Sequence, residues 1–157
     1  MAADIFIKFD GVEGESTDGQ FKNHCEVLSF SWGLSQAVSF TGGGMGAGKA
    51  NFQDFSFTKQ MDASSTRLMQ RCATGEHFKK VEVFARKAGG KQMVYLKFLF
   101  EECLITNYQT GSSGEIASEN VTVAFGKVKI EYHKQDLKGG TAKVGDFGYD
   151  VKKNEAI

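Results

Sequence analysis

Gln36-Ala37-Val38-Ser39-Phe40-Thr41-Gly42-Gly43-Gly44-Met45-Gly46-Ala47-Gly48-Lys49-Ala50-Asn51-Phe52-Gln53-Asp54-Phe55-Ser56-Phe57-Thr58-Lys59 is the stretch on which the fold turns. Its middle, Gly43 to Lys49, has the Gly-x-x-x-x-Gly-Lys spacing of a phosphate-binding loop. That motif needs a Ser or Thr next, whose hydroxyl binds magnesium, and Ala50 has no oxygen to offer. It also needs a following helix whose N-terminus faces the phosphates. Here Phe55 and Phe57 alternate with Asp54, Ser56 and Thr58, which is a strand pattern. Gln36 to Phe40 is strand-like too. The glycines are therefore expected to form a long loop between two strands, in a mainly β chain.

Working outward, the flanks repeat the two-residue period. Ile5, Ile7 and Phe9 share a face, and Asp10-Gly11 and the polar run Glu13 to Gly19 follow as turn and loop. Cys25 to Trp32 reads as one strand. Val27, Ser29 and Ser31 lie on a hydroxyl-rich, wet face, and Leu28, Phe30 and Trp32 on a buried aromatic one. Trp32 is expected to pack in the core. Lys80 to Arg86 alternates again, and Gly89-Gly90 marks a hairpin into a long strand from Gln92 to Tyr108. Val94, Leu96, Phe98 and Phe100 line one face of that strand, and Glu101-Glu102 breaks the phase in the manner of a bulge. Thr110 to Glu119 reads as loop. Val121, Val123 and Phe125 change phase to Val128, Ile130 and Tyr132 at Gly126, where a bulge is sterically easy. A last strand carries Phe147, Tyr149 and Val151.

One segment has helical spacing. Asp62, Ser64 and Ser65 are N-cap candidates, Leu68, Met69 and Cys72 form the apolar stripe, and Gly75 stands where a C-terminal cap glycine belongs. Roughly seven to nine short strands with one helix close best as a barrel or a two-sheet sandwich. No internal repeat or second-domain boundary shows, so residues 1–157 are read as one domain.

Bulk properties narrow the function. The 157 residues carry 19 basic and 19 acidic side chains, a formal net charge of zero. A nucleic-acid binder would show a basic excess, and a membrane-surface anchor a polybasic cluster. The N-terminus lacks the charged and apolar regions of a secretory signal, and no apolar run is long enough to span a bilayer. Cys25, Cys72 and Cys103 are scattered, without metal or redox spacing, and are expected to be buried. His24, His77 and His133 are equally scattered and read as polar or half-exposed. Proline is absent, where average usage would supply about eight, so the 19 glycines must make the turns. Glu101-Glu102 point to opposite faces of a strand, and Glu13 and Glu15 read as solvated. No catalytic, cofactor or metal set emerges, and no enzyme activity is expected.

Several stretches, taken in order, carry a resemblance. They are Phe6-Ile7-Lys8 with Asp10-Gly11, Gly14-Glu15-Ser16, Ser31-Trp32-Gly33, Gly46-Ala47-Gly48-Lys49, Thr58-Lys59 with Asp62 and Ser64, Arg86-Lys87-Ala88-Gly89-Gly90, and Gly114-Glu115 with Glu119. Over roughly Ala3 to Gln135 the chain resembles the haemolysin-coregulated protein family, Hcp, of bacterial type VI secretion systems. It departs where many relatives place Pro, at Ser65 and near Ala117.

The resemblance implies a β-barrel with a helix packed outside, assembled as a hexameric ring. It implies rings stacked into a tube inside a contractile sheath, with spike and baseplate proteins as further partners. It implies small effectors carried in the ring lumen, and export from the cytoplasm through the apparatus without a cleaved signal. No cofactor, nucleic acid or membrane anchor is implied. Within that frame Ser31 and then Ser29 are the candidate lumen contacts. The segment Thr41, Gly42, Gly43, Gly44, Met45, Gly46, Ala47, Gly48 and Lys49 is the candidate ring or stacking contact, with Lys49 paired to a carboxylate across it. The rival reading is a monomeric barrel holding a small ligand in its interior.

Overall fold

A computed structural model describes residues 3–87, 93–135 and 140–157. In chain order the elements are β1 (Ala3–Phe9), β2 (Cys25–Val27), β3 (Ser29–Ser31), β4 (Leu34–Thr41), β5 (Gly44–Phe52), β6 (Phe55–Gln60), α1 (Ser65–Thr74), β7 (Phe78–Lys87), β8 (Val94–Gly111), β9 (Ser118–Ala124), β10 (Lys127–Gln135), β11 (Thr141–Asp150) and β12 (Glu155–Ala156). All strand pairs are antiparallel. The Gly89-Gly90 turn lies outside the described residues, while the strands flanking it, β7 and β8, pair as a hairpin requires.

Two sheets enclose the core. The first runs β12-β11-β10-β8-β7-β1-β2, and the second runs β3-β6-β9-β8. Strand β8 belongs to both: its first half pairs with β10, its second with β9. On the opposite side the chain passes straight from β2 in the first sheet to β3 in the second. The Leu28 amide donates to the Thr58 carbonyl at 2.8 Å across that passage. The result is two sheets joined on one side by a shared strand and on the other by a continuous segment; β2 and β3 do not pair with each other, so the barrel is not closed.

The phase breaks foreseen at Glu101-Glu102 and at Gly126 are one structural corner. Glu102 has a positive φ of 56°. The Gly126 amide, opposite it, donates to the carbonyls of Glu101 (3.0 Å) and Glu102 (3.2 Å). A Cβ at Gly126 would meet the Glu102 Cβ at 3.3 Å and a Glu102 carboxylate oxygen at 2.6 Å, so the glycine eases the close approach of the two strands where β8 turns from one sheet to the other. Past the corner the buried positions of β8 move from Phe98 and Phe100 to Cys103 and Ile105.

Phenylalanine fills the space between the sheets. Phe9, Phe55, Phe57, Phe78 and Phe100 are almost fully buried, with Val81, Val83, Val121 and Val123 beside them. Phe55 stands 5.0 Å from Phe100 and 5.4 Å from Phe30, centroid to centroid. Helix α1 packs against β8 through Leu68 and ends at Gly75, whose φ of 72° and bond to the Arg71 carbonyl terminate it. Outside the first sheet, Phe21 from the 10–24 segment stacks on Phe6 and packs on Phe84, as a strap across that face.

Two expectations need correction. The alternation of Cys25 to Trp32 does not continue through Leu28. Val27 is buried and Leu28 exposed, because the sheet-to-sheet passage resets the phase there. Cys25 and Cys103 are buried, whereas Cys72 is only partly so, since the short helix covers the sheet with its Leu68 side. All three thiols are free, and burial raises Cys25 to about 11 and Cys103 to about 12.

Candidate functional site

Two surfaces and one buried cluster stand out. The first surface is the stretch expected as a loop between Thr41 and Lys49. It is mostly strand. β4 and β5 pair from Leu34↔Phe52 to Thr41↔Gly44, and the reversal needs only Gly42 and Gly43. Both have positive φ, 61° and 81°, the geometry of the two-residue turn whose twist matches the strands it joins. Glycine is a poor strand former on its own, which is why the sequence reads as loop. Cross-strand pairing with Gln36–Thr41 overrides that preference.

The register gives this ribbon two unlike faces. Phe40 pairs with Met45, and Val38 with Ala47, so these side chains share a mostly apolar face with Leu34, Gln36, Ala50 and Phe52. Ala37 alone then faces two residues, Gly48 and Lys49, a bulge that puts Lys49 on the other face beside Ser39, Ser35 and Asn51. The apolar face has no cover: Phe40 is 76% exposed and Met45 73%. Only the base is anchored. Phe52 lies 4.9 Å from Tyr149 and 6.3 Å from Trp32, and the Gln53 amide donates to the Gly33 carbonyl at 2.9 Å. Trp32 does pack as expected, against Phe98 and Phe125 as well.

The second surface is the outer face of the β3-β6-β9-β8 sheet. Ser29 and Ser31 lie on it, exposed, as expected. The register extends each into a row. Ser29 aligns with Thr58, Asn120 and Gln109; Ser31 aligns with Ser56, Thr122 and Asn107. Every one of these residues is polar and none is charged. Ser56 and Thr122 hydroxyls bond at 3.2 Å, and the Thr58 hydroxyl donates to Asn120. The sequence reading missed six of these eight residues. A signal for Ser56 and Thr58 was present, because they alternate with the buried Phe55 and Phe57.

Beneath this sheet lies a charge cluster. Lys59 and Glu119 are both buried and form an ion pair across β6 and β9. The Lys59 ammonium also reaches Asp62 at 2.8 Å, Ser65 donates to Glu119 at 2.9 Å, and the Tyr108 hydroxyl donates to Glu119. Ser64 donates its amide to Asp62 at 2.9 Å. The residues read as N-cap candidates thus tie the helix start to the sheet through Lys59. Burial by itself would pull the Lys59 ammonium down, but the Asp62 and Glu119 hydrogen bonds outweigh it and hold it above its ordinary value. Each charge is answered, so the cluster is a clamp and offers no free acid or base. On the far side, Arg86 holds the strap, donating to Asp18 at 2.7 and 3.0 Å and to Asp4 at 2.9 Å. The hydrogen bond from Arg86 holds the Asp18 carboxyl far below its usual range.

The remaining candidates do not converge. Glu13 and Glu15 are exposed, and His24, His77 and His133 lie apart from one another. Lys49 sits in a strand with no helix behind it. No described helix is long and apolar enough to cross a membrane.

Known proteins agree with this architecture. The family model described as "Type VI secretion system effector, Hcp" matches residues 6–132. The protein hcp1 of Pseudomonas aeruginosa is 42% identical over 98% of both chains. Among solved structures, a type six secretion system protein superposes with a TM-score of 0.92 at 30% identity, covering 99% of this chain and 100% of its own. Hcp1 from Salmonella typhimurium gives a TM-score of 0.82 at 33% identity, over the whole of both chains. With a family match spanning most of its length, and relatives of the same mainly β fold, the chain belongs to the Hcp family of type VI secretion proteins.

Proposed function

We propose that this chain is a structural subunit of the type VI secretion inner tube, a ring-forming protomer whose rings stack, are expelled by a contractile sheath, and carry small effectors in their bore. The observation that supports this most is the β4-β5 ribbon. It projects an apolar face that is left exposed among the described residues. Exposed apolar strands are an aggregation liability unless a partner covers them. A subunit that shows one surface and receives another builds closed rings or open stacks.

The uncharged outer face around Ser29 and Ser31 fits the lumen role. Rows of small hydroxyls and amides offer hydrogen bonds to many cargo surfaces and no fixed charge to repel any of them. The rival, a monomeric barrel with an internal ligand, lacks support, because the ring-packed phenylalanines occupy the interior. The work of the protomer is then mechanical, and spike, baseplate and sheath proteins are its partners during assembly.

The test is Ser31→Arg in the full chain. The ring mass by light scattering should stay that of the unmodified protein, while effector accumulation and co-purification fall. Unchanged effector levels with an intact ring would remove the lumen assignment.

A further inference from the structure

A pocket of about 350 Å³ lies on the outer face of the first sheet, beside the strap and outside the phenylalanine core. Strand register builds it. Phe84 of β7 aligns with Lys97 of β8, and Lys97 with Glu131 of β10, so the three side chains share that outer face. The register shift between Ala85 and Arg86 pairs Val94 with Arg86 and turns Val94 to the same side. Phe21 of the strap closes one wall, its ring centroid 5.1 Å from that of Phe84. With Met93 and Val94, the two rings make an apolar floor.

The polar groups of the pocket are of one kind. Lys97, His133, Gln20 and Thr141 can all donate hydrogen bonds, and no carboxylate is among the described lining residues. Lys97 is half-buried and forms no ion pair among the described residues. The His133 Nε2 atom is buried and has no hydrogen-bond partner among them. The Glu131 carboxylate beside it stands at 3.6 Å, too far for a hydrogen bond. Buried donors left without acceptors are costly, and a ligand that supplies the acceptor recovers that cost.

We propose that this pocket binds a small aromatic carboxylate, its charged group received by Lys97 and His133 and its ring laid on Phe21 and Phe84. Donors without acceptors favour an anion, since hydrogen bonds to a charged group are the stronger kind. Two phenylalanine rings favour a flat apolar body. The volume lies at the low end of small-ligand pockets, about 300–1,000 Å³, which limits that body to one or two rings. Glu131, beside His133, repels further negative charge, so a monocarboxylate fits better than a phosphate. The pocket and the Ser29 and Ser31 face belong to different sheets, so the site stands independently of the lumen assignment.

Calorimetric titration of the full chain with 2-naphthoate tests the site, with 2-naphthalenemethanol as a neutral probe of similar shape. The expected result is one naphthoate per chain with a Kd below about 1 mM, and binding of the alcohol about tenfold weaker or less. Lys97→Gln should weaken naphthoate binding about tenfold. Glu131→Gln should tighten it about threefold, a gain that a misfolded chain would not give. Lys129→Gln, exposed on the next row of the same face, should leave it unchanged. Equal binding of the two probes, no binding by millimolar naphthoate, a silent Lys97→Gln, or equal losses in Lys97→Gln and Lys129→Gln would each overturn the site.

Discussion

The clamp beneath the β3-β6-β9-β8 sheet and the β4-β5 ribbon are opposite solutions within one chain. At the clamp, the buried Lys59, Glu119 and Ser65 and the partly buried Asp62 and Tyr108 satisfy one another. On the ribbon, Phe40 and Met45 stay exposed, and Lys49 forms no ion pair among the described residues. The difference separates what holds the protomer from what it holds on to. Buried charges are costly unless fully paired, so the clamp reports on folding. Uncovered apolar strands are costly unless partnered, so the ribbon reports on assembly.

The sharpest way to break that contrast is at Glu119. Glu119→Leu leaves the buried Lys59 with Asp62 but without its second carboxylate and should cost about 3 kcal/mol, the low end for a broken buried pair, read as a lower urea midpoint. Adding Lys59→Met should recover much of the loss, because an apolar pair of similar volume is often as stable as the ion pair. If the single change is silent, the clamp does not hold the fold.

Gly14→Ala comes next. The new methyl would meet the His24 carbonyl oxygen at 2.6 Å and the Cys25 sulfur at 2.8 Å, and the oxygen belongs to backbone that cannot swing aside. Overpacking of this kind should cost about 1–3 kcal/mol, and faster proteolysis within the strap would locate it.

A pH series tests the strap's other anchor. Because Arg86 depresses the folded Asp18 pKa, its contribution is complete above the unfolded value of 3.8 and is lost as pH falls through the folded value. The gap in urea midpoint between the unmodified chain and Asp18→Asn should therefore be widest near neutral pH and close progressively below about pH 4. A gap independent of pH would mean that the carboxylate charge does not matter there.

The smallest expected effect on folding is on the ribbon. Phe40→Ser exposes nothing that was buried and should change protomer stability by less than about 0.5 kcal/mol. The same change should abolish association. Equal losses of stability and assembly would erase the contrast between the two regions.

Much of this was readable before the structure. The alternation of Phe55 and Phe57 with Ser56 and Thr58 announced a strand with one buried and one wet face, and Gly75 marked the end of the helix correctly. The two phase breaks were legible singly, at Glu102 and at Gly126. That they are one corner depends on strand pairing, which periodicity does not encode. Lys59 and Glu119 lie far apart in sequence and look like ordinary solvated charges. Only the β6-β9 register joins them. The ribbon misled for a different reason. Glycine spacing suggests a loop because the stabilising partner is another strand, and the unlike faces appear only once the bulge at Ala37 is known.

Light scattering of the unmodified chain after size-exclusion chromatography, across a range of concentration and salt, tests self-association most directly. The account predicts a ring of about six times the 17.2 kDa chain mass that Phe40→Ser disperses. A particle of 17.2 kDa under every condition, with the ribbon intact, would contradict it.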